Sequence, residues 1–215
     1  MSLNYNQIQK DLFSAVLCDI LDELGYRYQA MDAAIRPLSE SDVVCGPAFT
    51  IQGVSVASPS KKPFEVEFEA IDNIVKGSVL VIDANDAVCG FWGELLTATS
   101  HHHGAVGCVL DGLTRDRKKI LETGFPVFAK GYNPLDCLGR GEMIDYQRKI
   151  KCCGVEVNPG DMIFGDVDGV VVVPAAVAEE CVARAYKKIE DEKMVKKEFL
   201  SGRSASEVWN QYHIL

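Results

Sequence analysis

The run Ser78-Val79-Leu80-Val81-Ile82-Asp83 is the feature that most narrows what this chain can fold into. Four consecutive apolar residues closed by a carboxylate read as a strand buried on both faces, the kind that parallel sheets use under a cover of helices. Gly107 to Asp111 repeats the pattern, and Pro126 to Ala129 reads as another strand. Elsewhere the apolar spacing switches to the helical period. Tyr5 to Leu24 carries Ile8, Leu12, Val16, Ile20 and Leu24, with Gly25 as a stop. Phe64 to Val75 sets Phe68, Ile71 and Val75 on one face, and Glu94 to about His103 and Asp116 to Glu122 read as two more helices. The stretch from Ala84 to Gly93 reads as a loop.

Val43 to Val54 is strand material that Gly46-Pro47 is expected to break. After an irregular stretch, Gly131 to Gly141, the segments Lys149 to Val157, Asp161 to Gly165 and Gly169 to Val173 read as successive strands, with Asp168-Gly169 as a hairpin turn. From Ala175 a long helix runs towards Leu200. Gly202 ends it, and Ser204 is placed to cap a last helix through Trp209. Strands alternating with helices and then a meander indicate an α/β chain. With no tandem repeat and no low-complexity linker, one domain over residues 1–215 is expected, with a helical segment from about 175 to 215.

Composition excludes several functions. The 215 residues are 47% hydrophobic and 25% charged, ordinary for a soluble globular domain that buries a core without staples. A formal charge of −9 argues against a nucleic-acid-binding face. Met1 to Lys10 is too polar for a signal peptide, and no apolar run is long enough to span a bilayer, so no membrane partner is expected. The eight cysteines show no Cys-x-x-Cys spacing. Cys18, Cys89, Cys108 and Cys181 lie among apolar residues as small core hydrophobes, and Cys152-Cys153 is an adjacent pair. A reducing cytoplasm is the natural compartment for such a set.

Chemistry concentrates in two stretches, Gly93-Glu94-Leu95-Leu96 and Asp111-Gly112-Leu113-Thr114-Arg115-Asp116. The first reads as a loop opening a helix, whose unpaired N–H groups and positive dipole end suit a carboxylate. The second reads as the end of a buried strand, a turn and another helix. Arg115 offers a planar fork for an anion or a polarised carbonyl, and Asp116 offers a hard oxygen ligand for a divalent cation. Anion cradle, cation and metal ligand together suit chemistry on a 2-oxo acid. The same residues also fit a plainer arrangement, a surface ion pair and helix cap with Glu94 favouring the dipole.

Phe91-Trp92-Gly93-Glu94-Leu95-Leu96-Thr97-Ala98, Gly104-Ala105-Val106-Gly107, Asp111-Gly112 to Arg115-Asp116 and Gly124-Phe125-Pro126-Val127-Phe128-Ala129, in that order, resemble the RraA-like family. The resemblance extends to Asp19 to Gly25, Gly46 to Thr50, Gly154 to Asp161 and Asp166 to Pro174, nearly the whole chain. It implies a swivelling β/β/α-type core with N-terminal and long C-terminal helices, assembled as a homo-oligomer, a trimer or hexamer with sites between subunits. It also implies a metal-dependent lyase that cleaves 4-hydroxy-4-methyl-2-oxoglutarate or related 4-carboxy-4-hydroxy-2-oxo acids to pyruvate, with oxaloacetate decarboxylation as a side activity. By the same resemblance Asp116 holds Mg²⁺ or Mn²⁺, Arg115 stabilises the enolate oxygen, Glu94 orients a metal-bound water, and Gly93 with the backbone N–H groups of Leu95 and Leu96 holds the substrate carboxylate. The alternative is a non-catalytic regulator of a ribonuclease E-type enzyme, acting by protein binding. Such regulators lack an acidic residue after the arginine, whereas this chain has Asp116.

Other residues invite weaker readings. His101-His102-His103 cannot converge on one ion from a helix, because successive side chains point about 100° apart. Asp83, Asp111, Asp166 and Asp168 read as turn formers, with Asp83 and Asp111 also candidates to support the site. Lys130 would serve as a Schiff-base lysine only in an apolar pocket. Lys62-Pro63-Phe64 stands where the family often has Gly-Asp-Asn, a departure expected to bear on substrate choice.

Overall fold

The computed structural model describes residues 3–84 and 86–214. Met1, Ser2, Asn85 and Leu215 lie outside the described residues, so the polar start and the loop around position 85 are not judged there. The chain opens with α1 (Tyr5–Asp11) and α2 (Ser14–Glu23), followed by β1 (Arg36–Pro37), β2 (Val44–Ser55), α3 (Glu65–Asp72) and β3 (Val79–Asp83). Then come β4 (Gly90–Trp92), α4 (Glu94–His102), β5 (Gly107–Thr114), α5 (Arg117–Thr123) and β6 (Val127–Tyr132). A meander follows: β7 (Gly141–Tyr146), β8 (Ile150–Cys152), β9 (Val155–Val157), β10 (Met162–Asp166) and β11 (Gly169–Val173). A 3₁₀ turn at Ala175–Val177 leads into α6 (Ala178–Leu200), and α7 (Ala205–Tyr212) ends the described fold.

The main sheet runs β1-β6-β5-β3-β2-β10-β11, with β4 added along β5 and β7 along β2. β2, β3, β5 and β6 are parallel neighbours, and β10 and β11 continue antiparallel. Alternation along each strand divides the core. Phe49, Ile51, Leu80, Ile82, Cys108 and Leu110 face one way, in a cluster shared with α3 and α5. Ala48, Val79, Val81, Val109, Phe128, Ile163, Val170 and Val172 face a second cluster, to which β2, β3, β5, β6, β10 and β11 all contribute. The sheet is therefore curled around its own interior. Its two edges approach through the segment before β1: Met31 N–H donates to Val170 O at 2.9 Å, and Ala30 bridges Val171. A third cluster sits between β10–β11 and helices α1, α2 and α6.

The α/β architecture is as expected, while several element boundaries are corrected. The single helix expected from Tyr5 to Leu24 is two, because Leu12 and Phe13 are extended. The buried Asp166 carboxylate takes the Ser14 N–H at 2.8 Å and the Ser14 hydroxyl at 2.7 Å, so a distant residue starts α2 afresh. Pro47 does not break β2. It lies where the strand passes from its pairing with β10 to its pairing with β3 at Ala48, and a missing N–H costs little there. The expected strand from Lys149 to Val157 is a hairpin turning at Cys153-Gly154. β5 runs three residues past Asp111, so that carboxylate projects from within the strand rather than from a turn. Val75, placed on the core face of α3, lies beyond the helix end and is exposed, as is Phe68. The Ser204 cap is present as a full capping box with Glu207.

Candidate active site

The two stretches that carry chemistry meet because β4, three residues long and read from sequence as loop, pairs in parallel with the end of β5. Trp92 O accepts the Arg115 N–H at 2.9 Å and the Thr114 hydroxyl at 3.0 Å. Gly93-Glu94 and Arg115-Asp116 thus leave the carboxyl ends of adjacent parallel strands, the usual location of ligand sites in α/β sheets. Trp92 is fully buried. Its indole N–H donates to Thr97 Oγ1 at 2.8 Å, and that hydroxyl donates to Gly93 O at 2.9 Å, which clamps the first turn of α4. Gly93 at the N-cap has no side chain with which to cap that turn.

Asp116 adopts a left-handed backbone (φ 58°, ψ 27°) that Asp tolerates better than most residues, and it does not cap its own helix. Its Oδ2 turns back to the other stretch, accepting the Glu94 N–H at 3.3 Å and lying 3.7 Å from Arg115 Nε. A Cβ at position 93 would come within 2.8 Å of that oxygen, and one at position 90 within 2.8 Å of Arg115 Cβ. Glycines at 90 and 93 are what let the arginine and the carboxylate approach the helix start. The plain cap expected as the alternative is therefore not what Asp116 forms.

Arg115 is half-buried, and its Nη1 donates to Asp136 Oδ1 at 2.7 Å. Asp136 was not legible in the sequence: it sits in the irregular stretch before β7, with no periodicity or motif to single it out. A second residue missed there is Glu67 on α3. These residues line one cleft of about 960 Å³, together with Phe64, Phe68, Gly93, Glu94, Leu95, Leu96 and Cys137. Burial raises the Glu67 carboxyl to about 7, and the negative charge of Asp136 adds to the effect. Phe64 of the divergent Lys62-Pro63-Phe64 segment lines the same cleft, and its left-handed backbone (φ 70°) opens α3.

The remaining candidates have other work. His101 packs on the Phe125 ring, His102 on His103, and His103 lies 3.9 Å from Asp72. Lys130 is paired with Asp111, which holds its ammonium protonated above the ordinary lysine value. That is the wrong state for a Schiff-base nucleophile. Asp111 is thus a partly buried ion-pair partner within a strand, not a turn former, whereas Asp166 both caps α2 and forms the β10–β11 turn, its Oδ1 accepting the Asp168 N–H at 3.0 Å. Asp83 accepts from Gln52 Nε2 at 2.8 Å, and Asp168 lies in the β10–β11 turn. No described helix is long and apolar enough to cross a membrane.

Comparison with known proteins agrees with this architecture. DlpA of Legionella pneumophila is 34% identical over 203 residues, 93% of this chain but 32% of DlpA, so the chain spans about a third of that relative's length. A Halalkalibacterium halodurans protein with the provisional name 4-hydroxy-4-methyl-2-oxoglutarate aldolase is 33% identical over 163 residues, covering 75% of this chain and 74% of that protein. Among solved structures, one described as a novel cellulase from gut-associated microbes superposes with a TM-score of 0.84 at 30% identity, covering 90% of this chain and 89% of that one. Streptomyces coelicolor RraAS2, described as an unusual member of the RNase ES inhibitor RraA family, gives 0.77 at 28% identity over 89% and 94%. The model of the RraA-like family, described as Aldolase/RraA, matches residues 14–172, and the chain belongs to that family.

Proposed function

We propose that the chain is a divalent-metal-dependent carbon–carbon lyase that cleaves 4-hydroxy-4-methyl-2-oxoglutarate or a related 4-carboxy-4-hydroxy-2-oxo acid to pyruvate, and that it also decarboxylates oxaloacetate. The observation that carries this reading is the convergence of Arg115, Asp116 and the start of α4 in one cleft. A regulator that acts by binding a ribonuclease has no need of a carboxylate beside the arginine or of a cleft behind it. The provisional aldolase name of the Halalkalibacterium relative supports the same reading.

The residues fit a hard dication. Asp116 is a partly exposed carboxylate whose Oδ2 faces Arg115 and the Glu94 N–H, and glycine at 93 keeps the space beside it open. Mg²⁺ or Mn²⁺ held by Asp116, with substrate oxygens and water completing its shell, would supply electrophilic stabilisation of the substrate's keto oxygen. Arg115, fixed by Asp136, lays its planar donors where charge develops on that oxygen. The N–H groups of Leu95 and Leu96, in the first turn of α4, bind the carboxylate beside it. Glu94 at the same helix start orients a water towards the C4 hydroxyl. As Glu94 takes that hydroxyl's proton through the water, the C3–C4 bond breaks and the electron pair passes into the enolate of pyruvate; Glu94 then releases the proton to solvent. Glu67, raised to about 7, carries a proton in part of the molecules at neutral pH, and that form gives it to C3 and is reprotonated from solvent.

The exposed apolar residues in and around the cleft, Phe68, Val88, Leu95, Leu135 and Leu138, support a closed homo-oligomer, a trimer or a multiple of one, that covers this face. The single-domain organisation over residues 1–215 belongs to the same reading.

Measurements on three variants and on the mass of the assembly test it. With either 2-oxo acid, Arg115→Lys keeps the charge but loses the fork, and turnover should fall on the order of 10²-fold or more at any Mg²⁺ concentration. Asp116→Asn should lose activity that high Mg²⁺ partly restores. Normal turnover in both variants would make the pair structural. Glu67→Gln should slow turnover and also change stability in a defined direction. Because folding raises this carboxyl, wild type is favoured below the unfolded value and loses that advantage as pH rises towards about 7. The glutamine variant should therefore melt above wild type at pH ~8, by on the order of 1 kcal/mol given the group's partial exposure, and show no such gain at pH ~4. Equal melting at both pH values would contradict an uncharged Glu67. Light scattering should give an oligomer mass, and a fully active monomer would overturn the covered face.

A further inference from the structure

Away from the cleft, the β8–β9 hairpin turns at Cys153-Gly154 with positive φ at both residues, 46° and 86°. That two-residue turn normally takes Asn or Asp followed by Gly, because other side chains are strained there. Cysteine has no local reason to occupy it, and Cys153 is buried. The consequence is geometric. Neighbouring residues of a strand point to opposite faces, but the left-handed step lets both sulfurs turn to one side, where they lie within 4.8 Å of each other. Asp111 comes to the same point from β5. Its Oδ2 accepts the Cys153 N–H, and one ligand atom from each of Asp111, Cys152 and Cys153 lies within 4.8 Å of the other two.

We propose that Asp111, Cys152 and Cys153 form a binding site for a thiophilic divalent cation of the Zn²⁺ class, separate from the cleft and independent of the lyase reading. Two thiolates and one carboxylate oxygen are a ligand set that zinc accepts, leaving a fourth position for water. Charge balance favours the exchange. Without metal, the Asp111 carboxylate is paired with Lys130, and the adjacent Cys152 side chain, burial and the nearby Asp111 charge raise the Cys153 thiol. A dication replaces the two thiol protons, which leave to solvent, and the site stays neutral. Lys130 can remain on Oδ1 while Oδ2 turns to the ion, which is how carboxylate ligands are commonly held from behind. Such an ion would tie the hairpin to β5 and close the end of the curled sheet near Ile82, whose carbonyl accepts from the Cys152 thiol at 3.8 Å.

The test is a Co²⁺ titration of chelator-treated, fully reduced protein, followed by displacement with Zn²⁺. Wild type and Asp116→Asn should both develop a thiolate-to-cobalt charge-transfer band that saturates at one equivalent, and Zn²⁺ should abolish it. Cys152→Ser and Cys153→Ser should lose the band, and Asp111→Asn should need at least ten times more Co²⁺. If a serine variant fails to fold, X-ray absorption on Zn²⁺-loaded wild type decides. Two sulfurs at about 2.3 Å with nitrogen or oxygen neighbours are expected. A band that survives in both folded serine variants, no band in wild type, or a zinc shell with no sulfur or four sulfurs would overturn the proposal.

Discussion

Everything proposed for the cleft depends on a short piece of backbone pairing, β4 laid along the end of β5. Trp92 O takes both the Arg115 N–H and the Thr114 hydroxyl, so the residues after each strand emerge side by side. Residues 93 and 116 are far apart along the chain, yet an added Cβ on the first would touch the carboxylate of the second. Without that pairing, Arg115 would be one surface cation among many and α4 one more amphipathic helix. With it, an arginine, a carboxylate and a helix start share a few ångströms of space on a rigid frame. The Trp92–Thr97–Gly93 hydrogen-bond chain extends the same rigidity into α4.

The frame itself rests on strand alternation. Because every second residue of β2, β3, β5 and β6 is apolar on each face, the sheet has to be covered on one side and curled on the other. Helices α3 and α5 supply the cover, and β10–β11 with the segment before β1 supply the curl. Asp166 links that framework to the N-terminal helices, since its carboxylate holds the start of α2 in place while lying at the end of β10. Glu67 sits half-buried in the cleft near another acid, and burial with that charge raises its carboxyl to about 7.

Much of this was legible in the residues. Runs such as Val79–Asp83 announce buried parallel strands through composition alone, and Arg115-Asp116 marks a candidate site through the chemistry that a guanidinium and a carboxylate offer together. Other parts were not legible because their causes are tertiary. The break at Leu12-Phe13 is made by Asp166, about 150 residues away. Pro47 is tolerated because β2 changes partners there. β4 is too short for any periodicity to register, and Asp136 and Glu67 gain their meaning only from what folds against them. Cys153 is a different case. Its turn was hidden in a sequence that reads as continuous strand, although the Cys-Gly pair resembles in position the Asn-Gly pairs that mark such hairpins.

The central claim is that Arg115, Asp116 and the start of α4 form one site in which a metal and a planar 2-oxo carboxylate are held together. Mn²⁺ binding followed by electron paramagnetic resonance, with and without oxalate as a mimic of the pyruvate enolate, tests this directly. The account predicts that oxalate tightens Mn²⁺ binding, that Mn²⁺ tightens oxalate binding by the same factor, and that Asp116→Asn removes the coupling. Mn²⁺ affinity indifferent to oxalate, or coupling that survives in Asp116→Asn, would contradict it.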